Sequence, residues 1–305
     1  LNLAGVAAYQ ELARAWNDEF RLVERGILMV ARSEHGVEEE SRTAALANRL
    51  GVPAEVLSAD QIAALEPGIR MAVAGGVFYP RDAIIAPGLF MRALIRRLEE
   101  RGVELIWNSE VFGWLTGTMR VHAARTRLGA MEADEFVVCG GAWSPSVVRD
   151  LGIRLPMQAG KGYSLTVPAP RETATRGIIL TEARVAVTPI GGAMRFGGTM
   201  EIAGADQSIN PSRIRGIVSS ACRYFPSLTP KDFEGIEPWC GLRPCSPDGL
   251  PYIGRFGRYM NLSAATGHAM MGLSLGPITG KLMAEVLTGE NPSIPLDMLS
   301  PDRYA

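Results

Sequence analysis

Between residues 161 and 201 the chain changes character and becomes almost continuously β-like. The runs "KGYSLTVP" and "GIILTEARVAVTPIGGAMRFGGTME" are rich in strand-forming residues, and the "IGG" inside the second is a hairpin signal. The stretches on either side mix strand and helix patterns. Downstream, "NPSRIRGIVSSACRYF" has the spacing of a helix packed on that sheet. The strand "YMNLSAATG" and the helix "GPITGKLMAEVLTGE" follow. An α/β layer, an antiparallel sheet and a return to α/β do not close as one layer. The order predicts two domains with the chain crossing between them, α/β combined with α+β.

The upstream elements read as follows. Residues 4 to 20 place Val6, Tyr9, Leu12, Trp16 and Phe20 at helical spacing. "GILMVAR" is a short strand. "VEEESRTAALANRLGV" is a helix stopped by Gly51, and "SADQIAALEPG" is a helix capped by Ser58 and ended before Pro67. A strand, a turn and a helix bearing Ala93, Leu94 and Leu98 then run to Gly102, and "VELIWN" is expected to be a strand. Two hairpin strands, the buried strand "EFVVCGG" and a helix complete this half. Internal repeats and low-complexity segments are absent from the sequence.

With 31 basic and 32 acidic residues the net charge is −1, which gives no support to a nucleic-acid partner. The four cysteines (Cys139, Cys222, Cys240, Cys245) show no C-x-x-C spacing, and only three histidines accompany them, so a zinc site is not expected. They read as buried small hydrophobes in a reducing compartment. No apolar run reaches the ~18 residues of a membrane helix, and no signal peptide is visible. The sequence opens on Leu1 and enters a helix pattern at once, which reads as a cut.

Three motifs carry chemistry. "EFVVCGGAWS" runs a strand into Gly140-Gly141, either a contact to a phosphate-bearing cofactor or a tight strand-to-helix turn. "NLSAATGHAMMGLSLGPITG" ends a strand at Gly267-His268, with Gly272 and Gly276 before a helix whose amides suit a polar ring edge. His268 reads as structural rather than catalytic, and Met270 and Met271 as packing residues rather than pocket walls. "GLRPCSPDGLPYIG" mounts Arg243 at what reads as a rigid bend. That arginine is either a fork for a carboxylate or one half of an internal salt bridge to Asp248 or Glu237. Neither G-x-G-x-x-G, a P-loop nor a G-x-S-x-G elbow is present, and no carboxylate pair stands out for acid–base work.

Taken in tandem, "GLRPCSPDGLPYIG" and "NLSAATGHAMMGLSLGPITGKLMAEVLTGE", with "KGYSLTVP", "MRFGGTMEIAG" and "GGVFYPRDAIIAPGLF", resemble the FAD-dependent D-amino acid oxidase-like family over nearly the whole chain. The D-amino acid dehydrogenase branch is the most similar, within a group that includes glycine/sarcosine oxidases and D-hydroxyproline dehydrogenases. The resemblance implies FAD as cofactor and oxidative deamination of a D-amino acid, by hydride transfer from Cα to flavin N5. It implies that Arg243 binds the substrate carboxylate and that Tyr163 faces the substrate. Cofactor contacts are implied at Val111, Gly140, Gly141, Trp143, Gly241, Gly267, His268, Gly272 and Leu273. It divides the chain into an FAD-binding domain (82–155 and 236–290), a substrate domain (1–81 and 156–235) and a tail (291–305).

Against the family pattern, the N-terminal βαβ unit with its G-x-G-x-x-G loop is missing, so the Rossmann-like FAD-binding domain is expected to be incomplete. A second chain supplying that unit, or a fragment without flavin serving as a binding module, are the readings that follow. Met270 and Met271 stand where glycine-oxidase-like members carry an arginine, which favours an apolar pocket. A quinone or other electron acceptor is expected, with cytoplasmic placement or peripheral contact at the inner face of the cytoplasmic membrane.

Overall fold

The β-like block folds into the spine of an eight-stranded sheet. The computed structural model describes residues 1–305. In chain order the helices are α1 (Asn2–Ala15), α2 (Glu34–Arg49), α3 (Ala59–Leu65), α4 (Pro87–Glu100), α5 (Ser144–Val148), α6 (Pro211–Tyr224) and α7 (Gly272–Thr288). The strands of the first half are β1 (Ile27–Ala31), β2 (Glu55–Ser58), β3 (Gly75–Tyr79), β4 (Val111–Thr116), β5 (Val121–Thr126), β6 (Gly129–Glu132) and β7 (Phe136–Val138). Those of the second half are β8 (Gln158–Val167), β9 (Gly177–Leu180), β10 (Val185–Ile190), β11 (Ala193–Glu201), β12 (Trp239–Cys245), β13 (Tyr252–Arg255) and β14 (Leu262–Thr266).

The large sheet has the order β12-β8-β11-β10-β9-β1-β3-β2. All its pairings are antiparallel except β1 with β9. The predicted hairpin joins β10 to β11, and Gly191 and Gly192 supply the positive φ its turn needs. Two small sheets complete the fold. β13-β14-β7 has β7 parallel to β14, and β4-β5-β6 is an antiparallel meander.

Period two sorts the residues of β8 into two sets. Tyr163, Leu165 and Val167 join a core with Met194, Phe196, Ile217, Ala221 and Phe225, under α6. Burying each such large apolar side chain contributes about 1.5–3 kcal/mol. Gly160, Gly162, Ser164 and Thr166 face the other way and meet Arg243, Gly241, Trp239 and Arg195 of the neighbouring strands.

Several local expectations are met. Ser58 caps α3 in a capping box with Gln61, and Gly51 takes the left-handed conformation after α2. Three are corrected. The first helix stops at Ala15 because Asn17 and Asp18 turn left-handed, and Asp18 Oδ1 accepts the Leu22 amide at 2.6 Å. Trp16 and Phe20 still reach the core, packed with Tyr9 and Phe90. "VELIWN" is not a strand. Residues 103–108 have no pairing partner, and Val103, Ile106 and Trp107 are exposed. Last, Arg243 sits not at a bend but in the middle of β12, which pairs with β8. Residues 239–245 thus belong to the large sheet and not to the layer assigned to them from sequence.

Candidate active site

A cavity of about 920 Å³ opens on the glycine-bearing face of β8, β11 and β12. The start of α7, part of α1 and residues 81–87 form its other walls. Glycines make its floor flat. A methyl group on Gly162 would overlap the Arg243 guanidinium, and one on Gly241 would overlap the Trp239 indole. Both large side chains therefore lie across the strands instead of standing off them.

Arg243 projects from β12 opposite Gly160. Its Nη1 donates to the Thr199 carbonyl at 3.1 Å. That carbonyl is aimed by a β-bulge between Gly198 and Glu201, where Thr199 takes φ 64°. The salt-bridge alternatives do not form. Asp248 is held by Arg303 at 2.9 Å, and Arg243 carries no carboxylate partner. Burial, with the Arg195 charge nearby, lowers the Arg243 pKa from its ordinary value. Guanidinium remains cationic regardless, so the cavity presents an uncompensated, half-buried positive charge with a planar fork.

Tyr163 is a correction. Its ring is 1% exposed and faces the core side of β8, and its hydroxyl donates to Glu201. Lys161, on the same side, reaches Asp206 at 2.7 Å and the Ser208 carbonyl at 2.9 Å. Of the "KGYS" motif, Gly162 and Ser164 turn to the cavity while the lysine and tyrosine tie down the 201–208 loop. Tyr163 still belongs to the cavity lining, but its hydroxyl is engaged by Glu201.

The two glycine-ended strands are stitched together. Ser144 and Thr266 share a buried hydroxyl–hydroxyl hydrogen bond of 2.9 Å, and Thr266 Oγ1 also donates to the Gly141 carbonyl at 3.3 Å. These partners carry no sequence motif of their own, and only the paired strand ends hinted at them. Gly141 has φ 55° and nothing within 4 Å of where a side chain would begin. Trp143, beside it, is half exposed, and the Gly141–Trp143 turn lies against β12. His268, after Gly267 (φ 79°), turns its Nε2 to Thr279 Oγ1 at 2.9 Å. Burial pushes its pKa down to about 4, so the ring is neutral and braces α7 from within.

Gly272 and Leu273 line the cavity at the start of α7. A 3-10 turn over Ala269–Met271 leads into this helix, and no side chain caps it, so the helix start turns its backbone amides and positive dipole end to the cavity. Met270, Met271, Leu273 and Trp239 present exposed apolar surface around those amides. The arrangement fits a wide, flat ring with polar edges: apolar shelf, helix-start donors, and an open glycine turn at the end of β7. Val111, the first residue of β4, pairs with Thr126 and lies outside the cavity lining, as do Gly140, Gly141, Trp143, Gly267 and His268; Gly241, Gly272 and Leu273 lie in it. Sequence reading missed Arg195. Alternation in "MRFGG", with Phe196 committed to the core, was the available signal.

The family model described as FAD dependent oxidoreductase (DAO) matches residues 1–286. A D-amino acid dehydrogenase of Granulibacter bethesdensis is 34% identical over 287 residues, covering 92% of this chain and 68% of that protein. One from Bradyrhizobium diazoefficiens is 33% identical over 286 residues, covering 92% of this chain and 67% of its own length. Among solved structures, glycine oxidase from Geobacillus kaustophilus superposes with a TM-score of 0.89 at 24% identity, over 99% of this chain and 82% of that one, a likeness of fold.

Proposed function

The chain belongs to the FAD dependent oxidoreductase family, and from that premise we propose that it oxidises D-amino acids to 2-oxo acids with release of ammonium. The observation that carries the substrate side is Arg243, an unpaired guanidinium held flat over Gly162 by the Thr199 carbonyl.

FAD, when bound, supplies the two-electron acceptor for the Cα hydride. The helix-start amides at Gly272 and Leu273, the glycine turn at Gly140-Gly141, and the Trp143 surface are the residues that would hold it. Gly241 would serve by letting the Trp239 indole lie flat, Gly267 by its left-handed turn against Tyr252, and His268 by bracing α7. The remaining work falls to the chain. Arg243 takes the substrate carboxylate in a two-bond fork and thereby fixes Cα in one orientation. Asp82 is the only carboxylate in the lining, and burial raises its pKa. An amine that binds neutral needs no base, so no carboxylate is assigned that role. Loss of hydride from Cα leaves an imino acid, which water converts to the 2-oxo acid. Because the relatives are named dehydrogenases, we assign reoxidation to an external acceptor such as a quinone, met at the inner face of the membrane.

The test is the visible spectrum of the FAD-loaded protein without oxygen. D-Alanine is expected to bleach it and L-alanine to leave it yellow. Bleaching by glycine or sarcosine alone would replace this reading with the secondary-amine branch. Arg243→Lys keeps the charge and loses the fork, so KM for a D-amino acid should rise at least about tenfold. An unchanged KM would remove Arg243 from the carboxylate.

A further inference from the structure

Besides Arg243 the cavity lining holds two guanidinium groups that the reaction above leaves idle, the exposed Arg81 and the half-buried Arg195. Arg195 stands on β11 opposite Thr166, on the cavity side, since Phe196 beside it is in the core. Its Cζ lies 5.2 Å from the centroid of the Trp239 ring. Trp239 rises from β12, across β8, so the Arg195 side chain crosses β8 towards Arg243. It makes no ion pair, and burial lowers its pKa. Each guanidinium lacks a carboxylate partner, and the Arg195 charge is felt at Arg243.

Two half-buried like charges in one cavity repel each other, and desolvation adds to the cost. A ligand bringing two negative groups removes both penalties; a monoanion removes one. The spacing agrees. The Arg243 guanidinium lies over Gly162, and Arg195 starts opposite Thr166, four residues or about 13 Å further along β8. By leaning over the indole the Arg195 side chain closes part of that interval. What remains suits a short carbon chain with a carboxylate at each end.

We propose that Arg195 is a specificity residue that reads a second carboxylate, and that the preferred substrates are dicarboxylic D-amino acids of the D-glutamate kind. This rests on the reading that Arg243 takes the α-carboxylate. Trp239 sets the Arg195 plane by stacking, and the apolar walls strengthen the fork by keeping water out.

The experiment has a turnover arm and a binding arm, both on the FAD-loaded protein. In the first, kcat/KM is measured for D-glutamate and D-glutamine with wild type, Arg195→Met and Arg195→Lys. The wild type should prefer D-glutamate, and Arg195→Met should lower that preference at least about tenfold, with Arg195→Lys recovering part of it. An equal loss on both substrates would overturn the proposal, because Arg195 would then serve the α-carboxylate or the fold. In the second, glutarate and butyrate are titrated calorimetrically. Wild type should bind glutarate at least about tenfold more tightly than butyrate, and Arg195→Met should erase the difference. Equal binding by wild type overturns the proposal without reference to any variant. A glutarate preference that Arg195→Met erases, in a protein that oxidises no D-amino acid, would support Arg195 as a dicarboxylate reader and sink only the proposed reaction.

Discussion

Thr199 carries the strain that aims Arg243. A β-branched residue at φ 64° is an outlier, and its hydroxyl is buried without a partner. Such a conformation costs on the order of 1–3 kcal/mol, and here it turns the carbonyl onto Nη1 of Arg243. Thr199→Gly removes the strain and frees the backbone. Thermal stability should hold or rise while KM for the substrate rises, and a fall in stability with unchanged KM would refute the positioning role. Tyr163 argues the converse. Its hydroxyl serves Glu201 on the core side, so Tyr163→Phe should leave KM unchanged and cost about 1 kcal/mol in a denaturant titration. A raised KM would show that the ring side of β8 communicates with the cavity. Arg243 was legible in "GLRP", but its mounting was not, because Gly162 and Thr199 lie far away in sequence. Alternation shows that Lys161 and Tyr163 share a face, and Gly162 and Ser164 the other. It does not say which face meets the core.

Helix α7 shows how one element is fixed by another. Pro277 lies inside it and cannot donate to the Leu273 carbonyl four residues back. Tyr9 of α1 fills that vacancy, with its hydroxyl 2.7 Å from Leu273 O, and burial pushes the phenol pKa up to about 12. Gly5 lets α1 come this close, since a methyl group there would overlap the Ser274 carbonyl. The contact also anchors the helix start that faces the cavity. Tyr9→Phe should lower stability by about 1–3 kcal/mol, because a buried carbonyl loses its donor, and should weaken FAD binding measured by fluorescence. A neutral effect on both would mean that water replaces the phenol. The sequence pattern starts this helix at Gly276, since proline is at home in the first turn. The structure starts it at Gly272, and the reason lies in α1, more than 260 residues away. "VELIWN" fails for a related reason: a strand exists only where a partner edge does, and propensity cannot see the partner.

Across the whole molecule, the site is drawn from stretches that the chain order scatters. β8 and β11 bring the floor, β12 brings Arg243, α7 brings the ring-edge donors, and the Gly141–Trp143 turn after β7 packs against β12 just outside the lining. The two-domain crossing was readable because the β-like block interrupts an α/β pattern. The assignment of β12 to the large sheet was not readable, because a strand with glycine and proline looks like a turn until its pairing with β8 is known. A ligand that touches the β13-β14-β7 sheet, β12 and α7 at once links elements otherwise joined by contacts such as the isolated bridge between Cys245 and His268. FAD should therefore stabilise the whole molecule. At a free concentration about 100 times its Kd it adds about 2.7 kcal/mol, and the melting temperature should rise by several degrees in a dose-dependent way. Arg243→Lys should keep that rise, because Arg243 serves the substrate and not the cofactor. Gly141→Val should diminish it, because a branched side chain at φ 55° is strained and projects into the open turn. A melting temperature indifferent to FAD, or a rise that Arg243→Lys abolishes and Gly141→Val spares, would reverse the assignment of the two sides of the cavity.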